Sequence, residues 1–287
     1  MTWTLSAFAD EADIQIGEQI RALQEAGYRH VDLRGVNDYN ITELPEDEAQ
    51  KVRQQLDDAG IRVFMFGSPI GKIDITDDFE IDHNKLKHLG KLKDILGCER
   101  VRIFSYFNKT ALPEAEWRRA ALDRLKQLAE TAGTLGLELF HENESHIFGD
   151  VCDRVEVLAD ELRGARFRLI FDFDNYNRCG DDVWKNWTRL RDRTDAFHLK
   201  DSNAEGMHVP VGEGNGKVRE ILADAFKRGW EGPLTLEPHL KRSEAVVATG
   251  PEGQSNEALK DMGPFGAFQV GAAAAKRVLE EVGAQYE

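Results

Sequence analysis

The chain of 287 residues is 41% hydrophobic, which is enough for a large core in one or two domains. Its net charge of −15 argues against nucleic acid as the main partner, because binding to phosphates requires clustered Lys and Arg. Cys98, Cys152 and Cys179 form no CxxC spacing and fit the reduced thiols of a cytosol. The N-terminus lacks the pattern of a secretory signal, and no apolar run reaches the roughly 18 residues that span a bilayer. We therefore expect a cytoplasmic protein without a membrane or nucleic-acid partner.

Short apolar or β-branched runs alternate with longer amphipathic stretches along the chain. The predicted strands are, in order, WTLSAFA, RHVDLRG, IRVFMFG, RVRIFSY, LELFHEN, RFRLIFD, TDAFHLKD and GPLTLEPH. A helical pattern follows each of them, from IGEQIRALQEAG after the first strand to FGAFQVGAAAAKRVLEEVG after the eighth. About eight βα units predict a (β/α)8 barrel that occupies residues 1–287 as a single domain. A doubly wound sheet would normally carry a Gly-rich phosphate loop after its first strand, where this chain has ADEAD.

One long polar segment interrupts this alternation, at residues 241–263 after the eighth strand. Loops of this length are usually functional or disordered. We expect a lid or a subunit contact here, with disorder as the alternative. A homo-oligomer is compatible with the sequence, since barrels of this kind often assemble.

Potential metal ligands follow four consecutive predicted strands, the fifth to the eighth. In a barrel of this type, function resides in the loops at the carboxyl ends of the strands. Because alternate residues of a strand point into the barrel, we expect one side chain from each of these strands to face a common centre. The four side chains are Glu142, Asp172, His198 and Glu237; Glu144 shares the strand parity of Glu142, but Glu142 lies nearer the apolar part of the strand.

Three carboxylates and one imidazole suit Mn²⁺, Mg²⁺ or Co²⁺, and Zn²⁺ also fits. The absence of thiolates argues against a structural zinc site. A single acidic residue at a strand end more often caps the next helix, but three converging carboxylates would repel one another without a cation. Arg34 and Lys200 could partly neutralise them, so a cluster of salt bridges is the alternative to a single divalent ion.

The chain resembles the sugar phosphate isomerases and epimerases of the xylose isomerase-like TIM-barrel superfamily. The segments that carry the resemblance are, in the expected order, SAFADE, VDLRG, GSPIGK, HENE, HLKD, GEGNG and LEPHL. In that superfamily one divalent ion is held by Glu, Asp, His and Glu of the last four strands, and these match Glu142, Asp172, His198 and Glu237 residue by residue. Many relatives have D-x-x-H after the sixth strand, where Asn175 replaces the histidine that contacts substrate.

The resemblance implies an isomerase or epimerase that acts on a sugar or sugar phosphate through metal-stabilised enediolate proton transfer. One base removes a proton next to the carbonyl group, and the same group or a second acid returns it. By resemblance to ketose 3-epimerases, Glu142 and Glu237 serve both as ligands and as the acid/base pair.

Further polar residues near the predicted strand ends are candidates for contacts with the substrate, and each also has a structural interpretation. Arg34 could hold a hydroxyl, carboxylate or phosphate group, or form a salt bridge with a ligand carboxylate. Ser68 and Lys72 of GSPIGK could meet a phosphate or form a plain turn. The remaining candidates are Asn175, Lys200, His208 and Glu213.

Three other functions remain open at this point. A metal-dependent dehydratase of the inosose type would use the same barrel and the same proton abstraction but would eliminate water. An abasic-site endonuclease would need more metal ligands and a basic groove, which the net charge of −15 disfavours. A sugar-binding barrel without catalysis would bind no metal.

Overall fold

Eight parallel strands form the centre of the computed structural model, which describes residues 2–164, 166–241 and 259–287. They are β1 (Thr2–Ala7), β2 (His30–Leu33), β3 (Arg62–Phe66), β4 (Arg100–Ile103), β5 (Glu138–Glu142), β6 (Phe167–Asp172), β7 (Ala196–Leu199) and β8 (Pro233–Leu236). The principal helices are α1 (Ile16–Ala26), α2 (Glu46–Asp58), α3 (Glu80–Leu96), α4 (Glu114–Leu135), α5 (Cys152–Leu162), α6 (Phe173–Arg178), α7 (Val183–Leu190), α8 (Val218–Lys227) and α9 (Pro264–Glu281).

The strands close into a barrel. Their order in the sheet is β1-β8-β7-β6-β5-β4-β3-β2, and the two end strands, β1 and β2, also contact each other. Asp32 of β2 accepts hydrogen bonds from Ser6 Oγ of β1 at 2.6 Å and from Thr235 Oγ1 of β8 at 2.8 Å. Side chains from both sides of the junction thus meet on one buried carboxyl group, and the predicted (β/α)8 barrel is confirmed.

An apolar layer fills the inside of the barrel. It consists of Phe64, Met65, Phe140, Ile170 and Ala196. The last three stand two positions before Glu142, Asp172 and His198, so they point the same way about 7 Å lower along their strands. A larger core, between the strands and the surrounding helices, buries the opposite strand faces. The polar side chains at the carboxyl ends of β5, β6 and β7 therefore lie above an apolar layer.

The sequence prediction missed several short elements. These are turns of 3-10 helix at Ala9–Glu11 and Phe148–Asp150, a hairpin of Gly35–Val36 with Tyr39–Asn40, the helix α6, and a final strand at Gln285–Tyr286 that pairs with β1. Such elements are too short to show a hydrophobic period. The consequential one is α6, because Asp174 and Asn175 lie in its first turn rather than in a loop.

The polar segment predicted at residues 241–263 lies mostly outside the described residues, since 242–258 are not among them. None of the helices in the described ranges is long and apolar enough to cross a bilayer.

The segment GSPIGK after β3 makes a tight turn that depends on Gly71. Gly71 has a φ of +87°, and a Cβ atom there would overlap the backbone carbonyl of Phe104. The turn is held against the end of β4, where the Phe104 amide donates to the Ile70 carbonyl at 2.8 Å and the Tyr106 amide to the Gly71 carbonyl at 2.8 Å. The glycine is therefore required by the close approach of two backbones.

We predict that Gly71→Ala lowers the free energy of unfolding by about 2 kcal/mol or more, because the added methyl group overlaps backbone that cannot move aside. Gly133→Ala is the control, since that glycine lies in α4 with nothing within 4 Å of the new Cβ atom. It should stabilise the protein by about 0.5–1 kcal/mol. Urea denaturation of both variants measures the difference, and equal effects would contradict the role of Gly71.

Candidate metal site and cavity

Glu142, Asp172, His198 and Glu237 come together at the carboxyl end of the barrel. One potential ligand atom from each lies within 4.8 Å of the others, and all four residues are buried. The register of the strands accounts for this convergence, because Asp172 pairs with His198 and His198 pairs with Thr235, two positions before Glu237. His198 Nδ1 lies 2.9 Å from Glu142 Oε1 and 3.7 Å from Glu237 Oε2.

Four atoms of this cluster are buried and form no hydrogen bond of good geometry. Within the part of the chain that the structure describes, they are Glu142 Oε2, Asp172 Oδ2 and both ring nitrogens of His198. Three of them have an ionic contact, since Glu142 Oε2 lies 3.3 Å from Arg102, Asp172 Oδ2 3.1 Å from Lys200, and His198 Nδ1 2.9 Å from Glu142 Oε1. His198 Nε2 has no partner among the described residues, and a buried polar atom in that state costs about 1–3 kcal/mol. Carboxylate oxygens and imidazole nitrogen are ligands that divalent cations accept. The residues present therefore fit a divalent ion.

Three cations surround the cluster. Arg102 Nη1 lies 3.3 Å from Glu142 and 3.5 Å from Glu237. Lys200 Nζ lies 3.1 Å from Asp172 and 3.3 Å from Glu237. Arg34 Nη1 lies 2.7 Å from Glu237. The neutralising contacts expected of Arg34 and Lys200 are thus present, and Arg102 adds a third.

These cations do not balance the buried acids, because Arg34 is shared. Its Nε and Nη2 donate to Asp10 at 2.8 and 2.9 Å, and Nη2 lies 3.4 Å from Glu11. Five carboxylates therefore face three permanent cations, so the salt bridges leave a net negative charge when all five are ionised and the histidines are neutral. A net negative charge favours a bound cation, so the salt bridges and an ion are compatible with each other.

The pKa values of the three carboxyl groups in the cluster are shifted in opposite directions. Burial would raise the pKa of Glu142, but His198 and Arg102 outweigh it and lower that pKa to about 2. Burial likewise opposes ionisation of Glu237, and Lys200 holds the pKa of that group well below its usual range. For Asp172 burial prevails and, with the nearby charge of Glu142, raises the pKa well above its usual range. Without a bound cation, the proton on Asp172 relieves part of the repulsion.

Asp172 and Asn175 are positioned by the start of α6. Asp172 caps this helix, and its Oδ1 accepts a hydrogen bond from the Asn175 amide at 2.7 Å. Asn175 Nδ2 donates to the Asn143 carbonyl at 2.8 Å and to Glu142 Oε1 at 3.4 Å. Asn175, which replaces the expected histidine, thus helps to orient Glu142, and it also lines the cavity described next.

A cavity of about 610 Å³, called the site cavity below, opens over the cluster. Its lining residues include Glu142 and Glu237 of the cluster together with Lys72, Asn175 and Lys200 among the predicted substrate contacts. Lys72 Nζ lies 2.9 Å from Glu144 on the same wall. A cavity of this volume accepts a small organic molecule with room to spare.

The other predicted contacts do not line this cavity. Arg34 lies behind Glu237. Ser68 is fully buried and its hydroxyl donates to the Arg102 carbonyl at 2.5 Å, which supports the turn interpretation of that serine. His208 is buried with Nε2 3.1 Å from Asp174 Oδ2, and Glu213 is exposed with an ion pair to Arg277 at 3.2 Å.

Sequence reasoning missed Arg102, Asp10, Glu11 and His239. Arg102 alternates with the outward-facing Val101 and Ile103 on β4, so the two-residue period of the strand could have predicted that Arg102 points into the barrel. Asp10 and Glu11 stand in the ADEAD segment after β1. His239 lines the site cavity, and its Nδ1 lies 2.8 Å from Glu11 Oε1. The two-residue period of β8 does not predict where His239 points, because His239 follows the strand and has a positive φ of 47°.

Asp201 anchors the glycine-rich segment 212–216 close to the cluster. Its carboxylate accepts hydrogen bonds from the amides of Gly212 at 3.0 Å, Gly214 at 3.0 Å and Gly216 at 2.9 Å. A Cβ atom on Gly214 would overlap this carboxylate. The glycines therefore allow the backbone to wrap around an acid of the protein itself.

The chain belongs to the xylose isomerase-like TIM barrel family, whose profile matches residues 20–262. Curated relatives are the fructoselysine 3-epimerases of Escherichia coli O157:H7 and Shigella flexneri, each 29% identical over 130 residues. The match covers 44% of this chain and 46% of the relative, so the chain matches about half the length of these proteins.

Similar solved structures extend over nearly the whole chain. D-psicose 3-epimerase, crystallised in the presence of D-fructose, has a TM-score of 0.73 at 14% identity and covers 98% of this chain and 100% of its own. The IOLI protein with a bound zinc atom has a TM-score of 0.74 at 13% identity, with 97% and 99% covered. The probable 3-DHS dehydratase AsbF of Bacillus anthracis has a TM-score of 0.69 at 15% identity, with 96% and 99% covered. At these identities the likeness is one of fold.

We predict that Asp201→Ala lowers the free energy of unfolding by about 2–3 kcal/mol, because the segment 212–216 loses the acceptor for three amides. Limited proteolysis should then cut within this segment. Asp94→Ala serves as the control, since Asp94 is 88% exposed and such a change stays within about 0.5 kcal/mol. Wild-type stability and protease resistance in Asp201→Ala would show that the anchor is dispensable.

Proposed function

We propose that the protein is a divalent-metal-dependent isomerase or epimerase of a sugar or sugar phosphate. The observation that carries this proposal is the convergence of Glu142, Asp172, His198 and Glu237 at the base of an open cavity, where His198 Nε2 is buried without a partner among the described residues. The names of the fructoselysine 3-epimerases, and membership of the family, support a sugar as the substrate.

Glu142, Asp172, His198 and Glu237 would hold the ion. When bound, a divalent ion supplies Lewis acidity that polarises a carbonyl group and makes the neighbouring C–H bond more acidic. Mn²⁺, Mg²⁺, Co²⁺ and Zn²⁺ all accept this set of ligands.

Glu142 and Glu237 would form the acid/base pair, and their surroundings suggest different tasks. Glu142 lines the cavity, as a base that takes a proton from carbon must, and its Oε2 lies 3.3 Å from Arg102 Nη1. Glu237 is held by Arg34, Arg102 and Lys200, which fix its orientation and favour its charged form. Lys72 and Lys200 would bind hydroxyl groups or a phosphate of the substrate.

Proton abstraction at this site could also lead to loss of water, so a dehydratase is the second candidate. It requires the same ligands and the same base, and it differs only in whether a β-hydroxyl group departs after proton removal. The chemical identity of the product separates the two reactions.

We predict that a divalent ion raises the melting temperature of the chelator-treated protein, because it binds only the folded state. Since the pKa of Asp172 is raised, the ion must displace a proton, and the affinity should increase with pH through the range in which Asp172 loses it. Asp172→Asn should bind at least about tenfold more weakly and lose this part of the pH dependence. Calorimetry of Mn²⁺ binding at several pH values is the measurement, and wild-type protein that binds no ion would refute the metal site.

We predict that the metal-loaded enzyme incorporates deuterium from D₂O into a substrate sugar, and that Glu142→Gln slows incorporation by at least about a hundredfold, since the amide cannot take the proton. NMR screening of ketoses and their phosphates detects the exchange and distinguishes an isomeric product from a dehydrated one. Glu205→Gln, at an exposed position, is the matched control. Near-normal turnover by metal-loaded Glu142→Gln would rule out the proposed base.

A further inference from the structure

A second cavity adjoins the site cavity and is called the side cavity here. It has a volume of about 650 Å³ and shares the wall residues Phe107, His146 and Asp150 with the site cavity. It is bounded by residues 107–112 after β4 and by the first turn of α4. The two cavities therefore meet at a common wall at the carboxyl end of β4 and β5.

Two polar side chains of the side cavity are occupied within the protein. Asn108 donates to the Leu112 carbonyl at 2.9 Å and accepts from the Leu112 amide at 2.8 Å. Arg154 is paired with Glu114 at 2.9 and 3.0 Å and with Asp150 at 2.9 Å. Lys109 and His146 are the other polar residues that line this cavity with Asp150.

The remaining surface of the side cavity is apolar and aromatic. It is provided by Phe107, Ala111, Leu112 and Trp117. Arg154 covers the ring of Trp117 at 4.9 Å, and the Lys109 ammonium lies 5.2 Å from the ring centre of Phe107. The apolar surface left for a ligand, mainly Phe107, Ala111 and Leu112, binds an aromatic or aliphatic group better than it binds a second sugar.

Backbone contacts hold the shape of the side cavity. The Phe107 amide donates to the Ile73 carbonyl at 3.0 Å, and the Phe107 carbonyl accepts from the Ile75 amide at 2.8 Å. Asp74 accepts a hydrogen bond from the Lys109 amide at 2.6 Å. A wall tied to the neighbouring loop in this way is largely formed before a ligand enters.

The combined volume exceeds what a single sugar requires. A hexose occupies roughly 150–200 Å³ at the packing density of organic solids, against about 610 Å³ for the site cavity and about 650 Å³ for the side cavity. A sugar that carries a substituent would use both spaces, with its polar part over the cluster and its apolar part beyond Phe107.

We propose that the substrate is a sugar joined to an aromatic or apolar group, and that the side cavity binds this group while the sugar lies over Glu142, Asp172, His198 and Glu237. This inference rests on the proposed function, because it places the sugar at the same site. Phe107, Ala111 and Leu112 then determine specificity, and a free sugar is the poorer ligand.

Matched probe pairs test the inference on the Mn²⁺-loaded protein. One pair is 1-benzylamino- and 1-ethylamino-1-deoxy-D-fructose, in which both amines are protonated at neutral pH, and the other is phenyl and methyl β-D-glucopyranoside, so that each pair differs by phenyl in place of methyl. Calorimetric titration should show that the phenyl member of at least one pair binds about tenfold tighter or more, as expected for a buried ring. Equal affinities within both pairs, or no binding of any probe, would overturn the proposal.

Variants locate the ring. Ala111→Phe should reduce the phenyl preference to about twofold or less, because the new side chain fills the side cavity. The variant should fold, since Ala111 is exposed and its backbone already carries a Cβ atom at a φ of 54°. Ala115→Phe makes the same change at an exposed position that lines neither cavity, and it should keep the preference. A preference that persists in Ala111→Phe would place the ring elsewhere and refute the inference. Failure of the proposed function would be recognised separately, as the absence of deuterium exchange in every sugar that binds.

Discussion

The carboxylates of Glu142, Asp172 and Glu237, buried side by side, impose the constraint on which the rest of the site depends. Like charges a few ångströms apart in a medium of low polarity are strongly unfavourable, and each must be offset by a cation, a proton or hydrogen bonds. This protein uses all three, through the nearby Arg102 and Lys200, the raised pKa of Asp172, and the helix cap that Asp172 forms. The negative charge that the cations leave unbalanced once these acids are ionised is the physical basis for expecting a divalent ion.

The barrel accommodates these buried charges because it places an apolar layer below the cluster and polar groups at the carboxyl ends of its strands. Phe140, Ile170 and Ala196 form an apolar layer one step below the cluster. Above the cluster, the loops after β4 and β5 form the walls of both cavities. The same strand ends that carry the charged groups thus also determine what kind of molecule can approach them.

Much of the fold follows from local patterns. The alternation of apolar strands and amphipathic helices predicted eight βα units, and the two-residue period of a strand indicated which of the polar residues at each strand end faces inward. Elements of two to six residues were not predicted from the sequence. The helix α6 and the hairpin after β2 are too short for their hydrophobic residues to show a repeating pattern. Their positions depend on caps and turns such as the one that Asp172 forms with the Asn175 amide.

By itself the sequence determined the barrel and the strand ends from which the four side chains meet, because strand parity and the order of parallel strands leave little freedom there; the choice of Glu142 over Glu144 also needed the resemblance to the family. Tertiary structure alone decided how the charges are shared. Arg102 reaches Glu142 and Glu237 from another strand, Arg34 divides its donors between Asp10 and Glu237, and Ser68 turns to a backbone carbonyl away from the cavity. These contacts join residues as far as 203 positions apart, so they depend on distances and orientations that only the closed barrel defines.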